Sequence, residues 1–497
     1  MRTLLLWFGF LTLTLHPLDA QDRQAKPNVL LICVDDLKPT LGCYGDAFAK
    51  TPNLDRLAQR AVRFDRAYCN QAVCSPSRNA LMVGLRPQTL GIYELSTNFR
   101  VARPQAVTLA QYFREHGYST QALGKIFHVG HGNHEDAASW SVPHFQAKTV
   151  QYAKPENNAT MSREEAMFSN KMKDLANLPR GAATESAEVP DETYGDGIIA
   201  AEAIKRLESV AAAGEPFFMA VGFVKPHLPF VAPKKYWDWY DPQQLPQPTF
   251  LQPPANAPNY AATNFGELRN YSTIPDKGPI SAELTRHLIH GYYAATSYMD
   301  AQLGKLLTTL ETTGLHKNTI VVLWGDHGWH LGDHGMWCKH TNYEQATRIP
   351  LLVALPGKNG SSSQALVETV DLFPTLAELA GLPKPEGRDG KSFAAVLAKP
   401  EQPHRDHTIQ VYPRGNRLGR AIRTERYRMV EWKTIGASGA SAEFELYDYQ
   451  VDPAETKNIA ADSPEVLKQL QALLATHPEA VPQVKAKSAA KPEKPAK

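Results

Sequence analysis

Three apolar runs constrain this chain more than any other feature. Residues 28–34 read Asn-Val-Leu-Leu-Ile-Cys-Val, residues 216–224 run apolar from Pro216 to Val224, and residues 318–324 read Asn-Thr-Ile-Val-Val-Leu-Trp. None alternates polar with apolar, so each fits a strand buried on both faces, as in a parallel sheet. Each ends in charged or titratable residues: Asp35-Asp36, Lys225-Pro226-His227 and Gly325-Asp326-His327-Gly328. Ligand sites in open α/β sheets lie beyond the carboxyl ends of the strands. Adjacent carboxylates there are costly unless a cation or hydrogen-bond donors neutralise them. A hard divalent cation is the natural partner. A helix cap followed by a solvated aspartate is the plainer reading of the same pair.

Helical patterns separate the runs. Thr51-Pro52 opens one, with Leu54, Leu57, Ala58, Ala61 and Val62 on a single face. Others begin at Thr108 and cover 196–213, 281–310 and 370–381, and further strands are expected at 121–127 and 348–355. This alternation predicts an α/β main domain over 26–385, a mostly parallel sheet flanked by helices. Residues 386–480 hold shorter strands, at 421–432 and 444–449, and a closing helix at 463–476, which predicts a smaller α+β subdomain. The Lys-, Pro- and Ala-rich stretch 481–497 is expected to be a disordered basic tail. Residues 129–190 are polar and aperiodic, an excursion over the active-site face, and 241–280 are a proline-rich loop.

With 497 residues, 43% of them hydrophobic, the chain can bury a large core, and a net charge of +2 argues against a nucleic-acid partner. Residues 1–20 read as a secretory signal: Arg2, a short apolar stretch and a small residue, Ala20, at its end. No later segment is long and apolar enough to span a membrane, so the mature protein is expected to be exported, without an integral membrane segment. Five cysteines are few for a disulfide scaffold, and no disulfide is predicted.

One cysteine stands apart, in Cys74-Ser75-Pro76-Ser77-Arg78. Pro76 suits the first turn of a helix that 79–85 can continue. Cys74 then sits at the N-terminus, where free N–H groups and the dipole favour an anion, with Arg78 on the same face. A buried free cysteine before a proline-capped helix fits the motif alone equally well. Gly124-Lys125-Ile126-Phe127-His128 ends another strand. His327, His330 and His334 suggest zinc, but the glycines between them argue against one helix face presenting all three.

Taken in chain order, Asp35-Asp36, Cys-Ser-Pro-Ser-Arg, Gly-Lys-x-x-His, Lys-Pro-His, Asp-His-Gly and Lys339 resemble the site of the type I, formylglycine-dependent sulfatase family. That family has an alkaline-phosphatase-like α/β fold with a small C-terminal subdomain, and residues 446–448 and 452–458 look like its terminal strand region. Residues 34–45, 71–74, 224–230 and 326–329 resemble the family's iduronate-2-sulfatase branch. The resemblance implies that a formylglycine-generating enzyme oxidises Cys74. Asp35, Asp36, Asp326, His327 and the modified Cys74 would hold one calcium ion. Hydrated formylglycine attacks sulfur with one hydroxyl and expels sulfate with the other. Arg78 would hold the modified side chain or the sulfate, and His128 would handle the hydrate's proton. Lys125, His227 and Lys339 would contact sulfate oxygens, one of the last two acting as proton source for the leaving oxygen. Trp329 and His330 would border the sugar. The implied substrate is a sulfated oligosaccharide or polysaccharide, with 2-O-sulfated uronate foremost. A different, for example algal, polysaccharide, a phosphodiester or phosphonate monoester, and non-catalytic glycan binding are the alternatives. His330, Met336, Cys338 and His340 depart from the iduronate-2-sulfatase pattern.

Overall fold

The computed structural model describes residues 26–485. The expected signal, 1–20, and residues 486–497 of the expected tail lie outside that range.

The main sheet comprises β1 (Asn28–Val34), β2 (Ala61–Phe64), β3 (Ser119–Gly124), β4 (Phe217–Phe223), β5 (Thr319–Gly325), β6 (Leu351–Ala354) and β7 (Ser361–Ser363), in the order β7-β2-β6-β5-β1-β4-β3. Only β6 runs antiparallel to its neighbours. Helices α1 (Pro52–Ala58), α2 (Cys74–Val83), α3 (Leu109–Glu115), α4 (Gly195–Ala213), α5 (Ala282–Thr312) and α6 (Leu372–Leu379) cover both faces. The unbroken apolarity of β1 follows from this. Val29, Leu31 and Cys33 pack with residues of α2, α3 and α6. Leu30, Ile32 and Val34 pack with α1, α4 and α5 on the other side. Alternate residues of a strand face opposite sides, and both sides here are core.

Register brings the strand ends together. Val34 lies opposite both Phe223 and Gly325, so the residues that follow β1, β4 and β5 emerge at one edge. Gly124 lies opposite Gly222, which adds Lys125 to that edge. A Cβ on Gly222 would come within 2.2 Å of the Lys125 carbonyl oxygen, so only glycine allows this approach.

The second unit is an antiparallel sheet, β8 (His407–Arg414), β9 (Arg417–Thr424), β10 (Tyr427–Thr434) and β11 (Glu443–Asp448), with α7 (Pro464–Leu474) packed on it. It meets the main domain through Glu344, which pairs with Arg423 and Arg428.

Several expectations need correction. The helical stripe from Leu54 to Val62 stops at Ala58, and Ala61 and Val62 begin β2. The run 421–432 is a hairpin that turns at Glu425-Arg426, and β8 had no separate signal. The expected strand 348–355 breaks at Pro350, which has no N–H to donate to a ladder. The stretch expected to be disordered from 481 starts bonded to the main domain: Val481 N donates to Gln88 O at 2.8 Å and Val484 N to Gly91 O at 2.7 Å. Among the described residues no helix is long and apolar enough to cross a membrane.

Candidate active site

Helix α2 begins at Cys74, after Val73 in extended conformation, and ends at Gly84 with φ 69°. All ten of its residues are buried, so Cys74 lies inside the molecule at a helix N-terminus. Its Sγ is 3.4 Å from His327 Nε2 and 4.0 Å from Lys125 Nζ. Burial, and then the charge of Asp35, push the Cys74 thiol well up. A thiol so placed is a poor thiolate nucleophile.

Asp35 and Asp36 leave β1 together. Neighbouring residues of an extended strand point opposite ways, but Asp36 has φ 58° and turns the chain. The turn is held from two sides: Asp36 N donates to Asp326 Oδ1 at 3.0 Å, and the Tyr292 hydroxyl donates to Asp36 O at 2.8 Å. Asp35, Asp36, Cys74 and His327 each bring one ligand atom within 4.8 Å of the others. Asp326 Oδ1 is 3.6 Å from His327 Nε2.

The histidine tests whether a cation fits. His327 Nδ1 faces the Gly328 carbonyl at 3.0 Å; a carbonyl only accepts, so Nδ1 carries the proton. Burial holds the ring neutral, its pKa pushed down to about 4. Nε2 therefore presents a lone pair to Asp36 Oδ1 at 3.3 Å as well as to Asp326. Burial pushes Asp36 up and takes Asp326 to about 7, despite the opposing pull of Lys339 on Asp36 and of Arg78 on Asp326. Lone pairs and carboxylate oxygens converging on one spot fit a metal ion. The oxygen-rich set suits a hard one, with Cys74 Sγ standing where an oxygen of the modified side chain would lie.

Arg78 is placed differently from the expectation that it holds the modified side chain or the sulfate. It is fully buried. Its Nε and Nη2 reach Asp326 at 3.1 and 3.0 Å, Nη2 reaches Asp35 at 2.9 Å, and Nη1 donates to the carbonyls of Lys125 and Ile126. Arg78 is committed to these carboxylates and carbonyls and is not among the residues lining the cavity beside Cys74. Arg78 is a positioning residue for the carboxylates.

Lys339, His227 and His128 line a cavity of about 250 Å³ that opens onto Cys74, and Lys125 lies outside that lining. Lys125 Nζ pairs with Asp35. Lys339 Nζ lies 3.0 Å from Asp36 and 2.8 Å from Glu267. His227 Nδ1 donates to Leu228 O at 2.5 Å, leaving Nε2 toward Glu267 at 3.2 Å. His128 lines the cavity with Nε2 3.2 Å from His131 Nδ1, and its own Nδ1 has no partner. Burial, and then Lys125, hold His128 neutral, as a proton acceptor must be.

Trp329 and His330 do not reach this cavity. Trp329 is fully buried, with Lys339 Nζ 4.9 Å from its ring centroid. His330 is bonded to Asp333 at 2.5 Å and Thr341 at 2.9 Å. His340 lines the cavity instead, with His131, Glu164, Phe168, Glu267 and Tyr271. Sequence reasoning missed most of these. Glu267 sits on the one-turn helix Gly266–Arg269 inside the proline-rich loop, and Glu164 on Arg163–Phe168 inside the aperiodic excursion. Neither segment has a pattern that marks one glutamate among many.

The sulfatase family profile matches residues 27–382. The chain belongs to the sulfatase family. A second profile, described as N-sulphoglucosamine sulphohydrolase, C-terminal, matches 332–480. Iduronate 2-sulfatase of Mus musculus is 33% identical over 513 residues, covering 88% of this chain and 91% of that protein. A solved structure in complex with its substrate D-glucosamine-2-N,6-O-disulfate superposes with a TM-score of 0.69 at 22% identity, over 91% of this chain and 97% of that one. A phosphonate monoester hydrolase from Silicibacter pomeroyi gives 0.69 at 22%, over 91% and 95%. The fold is thus the alkaline-phosphatase-like fold of the type I sulfatases, and the chain is a sulfuric ester hydrolase.

Proposed function

We propose that this sulfatase removes sulfate from a sulfated carbohydrate, with 2-O-sulfated uronate as its foremost substrate, through formylglycine made from Cys74 and one calcium ion. The observation that carries the reading is Cys74 itself. It lies at a helix N-terminus, too buried to act as a thiolate, beside the oxygen donors of a candidate cation site and in the lining of the cavity that also holds Lys339, His227 and His128. The uronate assignment is supported by the 33% identity to mouse iduronate 2-sulfatase.

In this reading Asp35, Asp36, Asp326, His327 and the modified Cys74 would hold the calcium, which would supply positive charge to the sulfuryl group. The hydrated aldehyde supplies two hydroxyls, one to attack sulfur and one to expel sulfate and restore the aldehyde. The chain's own residues do the rest. Arg78 fixes Asp35 and Asp326. Lys125, Lys339 and His227 neutralise the sulfate oxygens, and the sugar oxygen takes its proton from His227 or Lys339 as the S–O bond breaks. Neutral His128 accepts the hydrate's proton. Residues 1–20 direct export, and a formylglycine-generating enzyme acts before folding closes over Cys74.

The test is sulfate release by protein made with a formylglycine-generating enzyme, after the mass of the tryptic peptide 67–78 shows that Cys74 has been converted. The panel is 2-O-sulfated uronate disaccharides, N- and 6-sulfated glucosamine disaccharides, algal sulfated oligosaccharides and an aryl phosphodiester. Release from the 2-O-sulfated uronates alone is the expected result. Preference for another sulfated sugar overturns the uronate assignment, and preference for the phosphodiester overturns the carbohydrate sulfatase reading.

A further inference from the structure

We infer that Glu164 is a specificity-determining residue that accepts a hydrogen bond from a free hydroxyl of the leaving sugar. This inference rests on the sulfatase reading above and adds the chemistry of the leaving group's neighbourhood.

Glu164 lines the cavity that opens onto Cys74 and is only 4% exposed. One of its oxygens is satisfied: Gly181 N donates to Oε2 at 3.1 Å. The other, Oε1, is buried and has no hydrogen-bond partner. The catalytic cations have other partners: Lys125 pairs with Asp35, and Lys339 with Asp36 and Glu267. No lysine, arginine or histidine pairs with Glu164 among the described residues. A buried acceptor left bare is unfavourable, and native structures rarely keep one without a use. The same wall holds Glu267, whose Oε2 also lacks a hydrogen-bond partner.

A wall with orphan acceptors suits a leaving group that donates, and a sugar hydroxyl is such a donor. An aryl sulfate brings an apolar ring and no donor to this wall. A site built to bond a hydroxyl rejects the analogue lacking it far more strongly than an apolar pocket rejects one methylene. Glu164 therefore separates polyhydroxylated from aromatic leaving groups.

The experiment is Glu164→Gln in the formylglycine-converted, calcium-loaded enzyme. The Gly181 N–H holds the amide oxygen in the place of Oε2, so the amide NH2 takes the place of Oε1 and an acceptor becomes a donor. The readout is kcat/KM on the best sulfated sugar of the panel divided by kcat/KM on 4-nitrophenyl sulfate. The ratio should fall about tenfold to a hundredfold, the range for losing a hydrogen bond to a charged group. A second measurement uses mono-deoxygenated versions of that sugar: one of them should be a poor substrate for the wild type and be penalised much less by Glu164→Gln. An unchanged ratio, or a deoxy penalty equal in both enzymes, overturns the inference. An equal loss on both substrates also overturns it, since that marks a structural role. If the wild type releases sulfate from no sugar, the carbohydrate reading fails first and separately.

Discussion

At the scale of single residues, the site is a problem of buried charge. Asp35, Asp36 and Asp326 are all fully buried, and Arg78, Lys125 and Lys339 answer them from inside the same shell. Breaking a buried pair by removing one partner typically costs about 3–5 kcal/mol, because a charge is left uncompensated. Arg78→Met should lower unfolding free energy by about that amount in urea titrations. Under the proposed calcium reading, added calcium should recover part of the loss by binding the folded state. An unchanged midpoint would remove Arg78 from its positioning role. Much of this shell was legible in the sequence, because Asp35, Asp36, Asp326 and His327 directly follow buried strands. Arg78 was legible as a site residue but not in its partners. Spacing on a helix says which face a side chain takes, not which of two anions, carboxylate or sulfate, reaches it first.

Elements bring the shell together through register. The approach of β3 to β4 depends on Gly222, whose absent side chain makes room for the Lys125 carbonyl. Gly222→Ala should push these strands apart, cost about 1–3 kcal/mol of stability as overpacking does, and displace Lys125 from Asp35. Thermal unfolding and kcat measured on the same preparation check this. A variant as stable and active as the wild type would show the contact to be unimportant. The strands that carry the site could be read because each is buried on both faces over its whole length. The segment after Thr51 could not. Leu54, Leu57, Ala58, Ala61 and Val62 keep helical spacing, and only pairing of Ala61 and Val62 with Ala354 and Val353 makes a strand of the last two. No local pattern reports a partner nearly 300 residues away. The glutamates of the cavity wall were illegible for the same reason, since they come from segments with no period at all.

At the scale of the molecule, the two units are joined by ion pairs that depend on pH. Burial pushes the Glu344 carboxyl up, but Arg423 and Arg428 more than offset this and hold it at about 2. A carboxyl depressed in the folded state contributes stability above its unfolded pKa and loses it as pH falls through the folded one. The loss should therefore fall between about pH 4.5 and pH 2 and amount to about 3 kcal/mol. Glu344→Gln should be less stable than the wild type at neutral pH and should lose less over that acid range. Parallel urea curves at every pH would contradict this.

The proposed chemistry depends on Cys74. The most direct measurement is sulfate release from a sulfated uronate disaccharide by converted protein, with Cys74→Ala assayed beside it at equal folded concentration. The converted protein should turn over and Cys74→Ala should not. Undiminished turnover by Cys74→Ala would contradict the proposed mechanism, because the attacking oxygen could then not belong to residue 74.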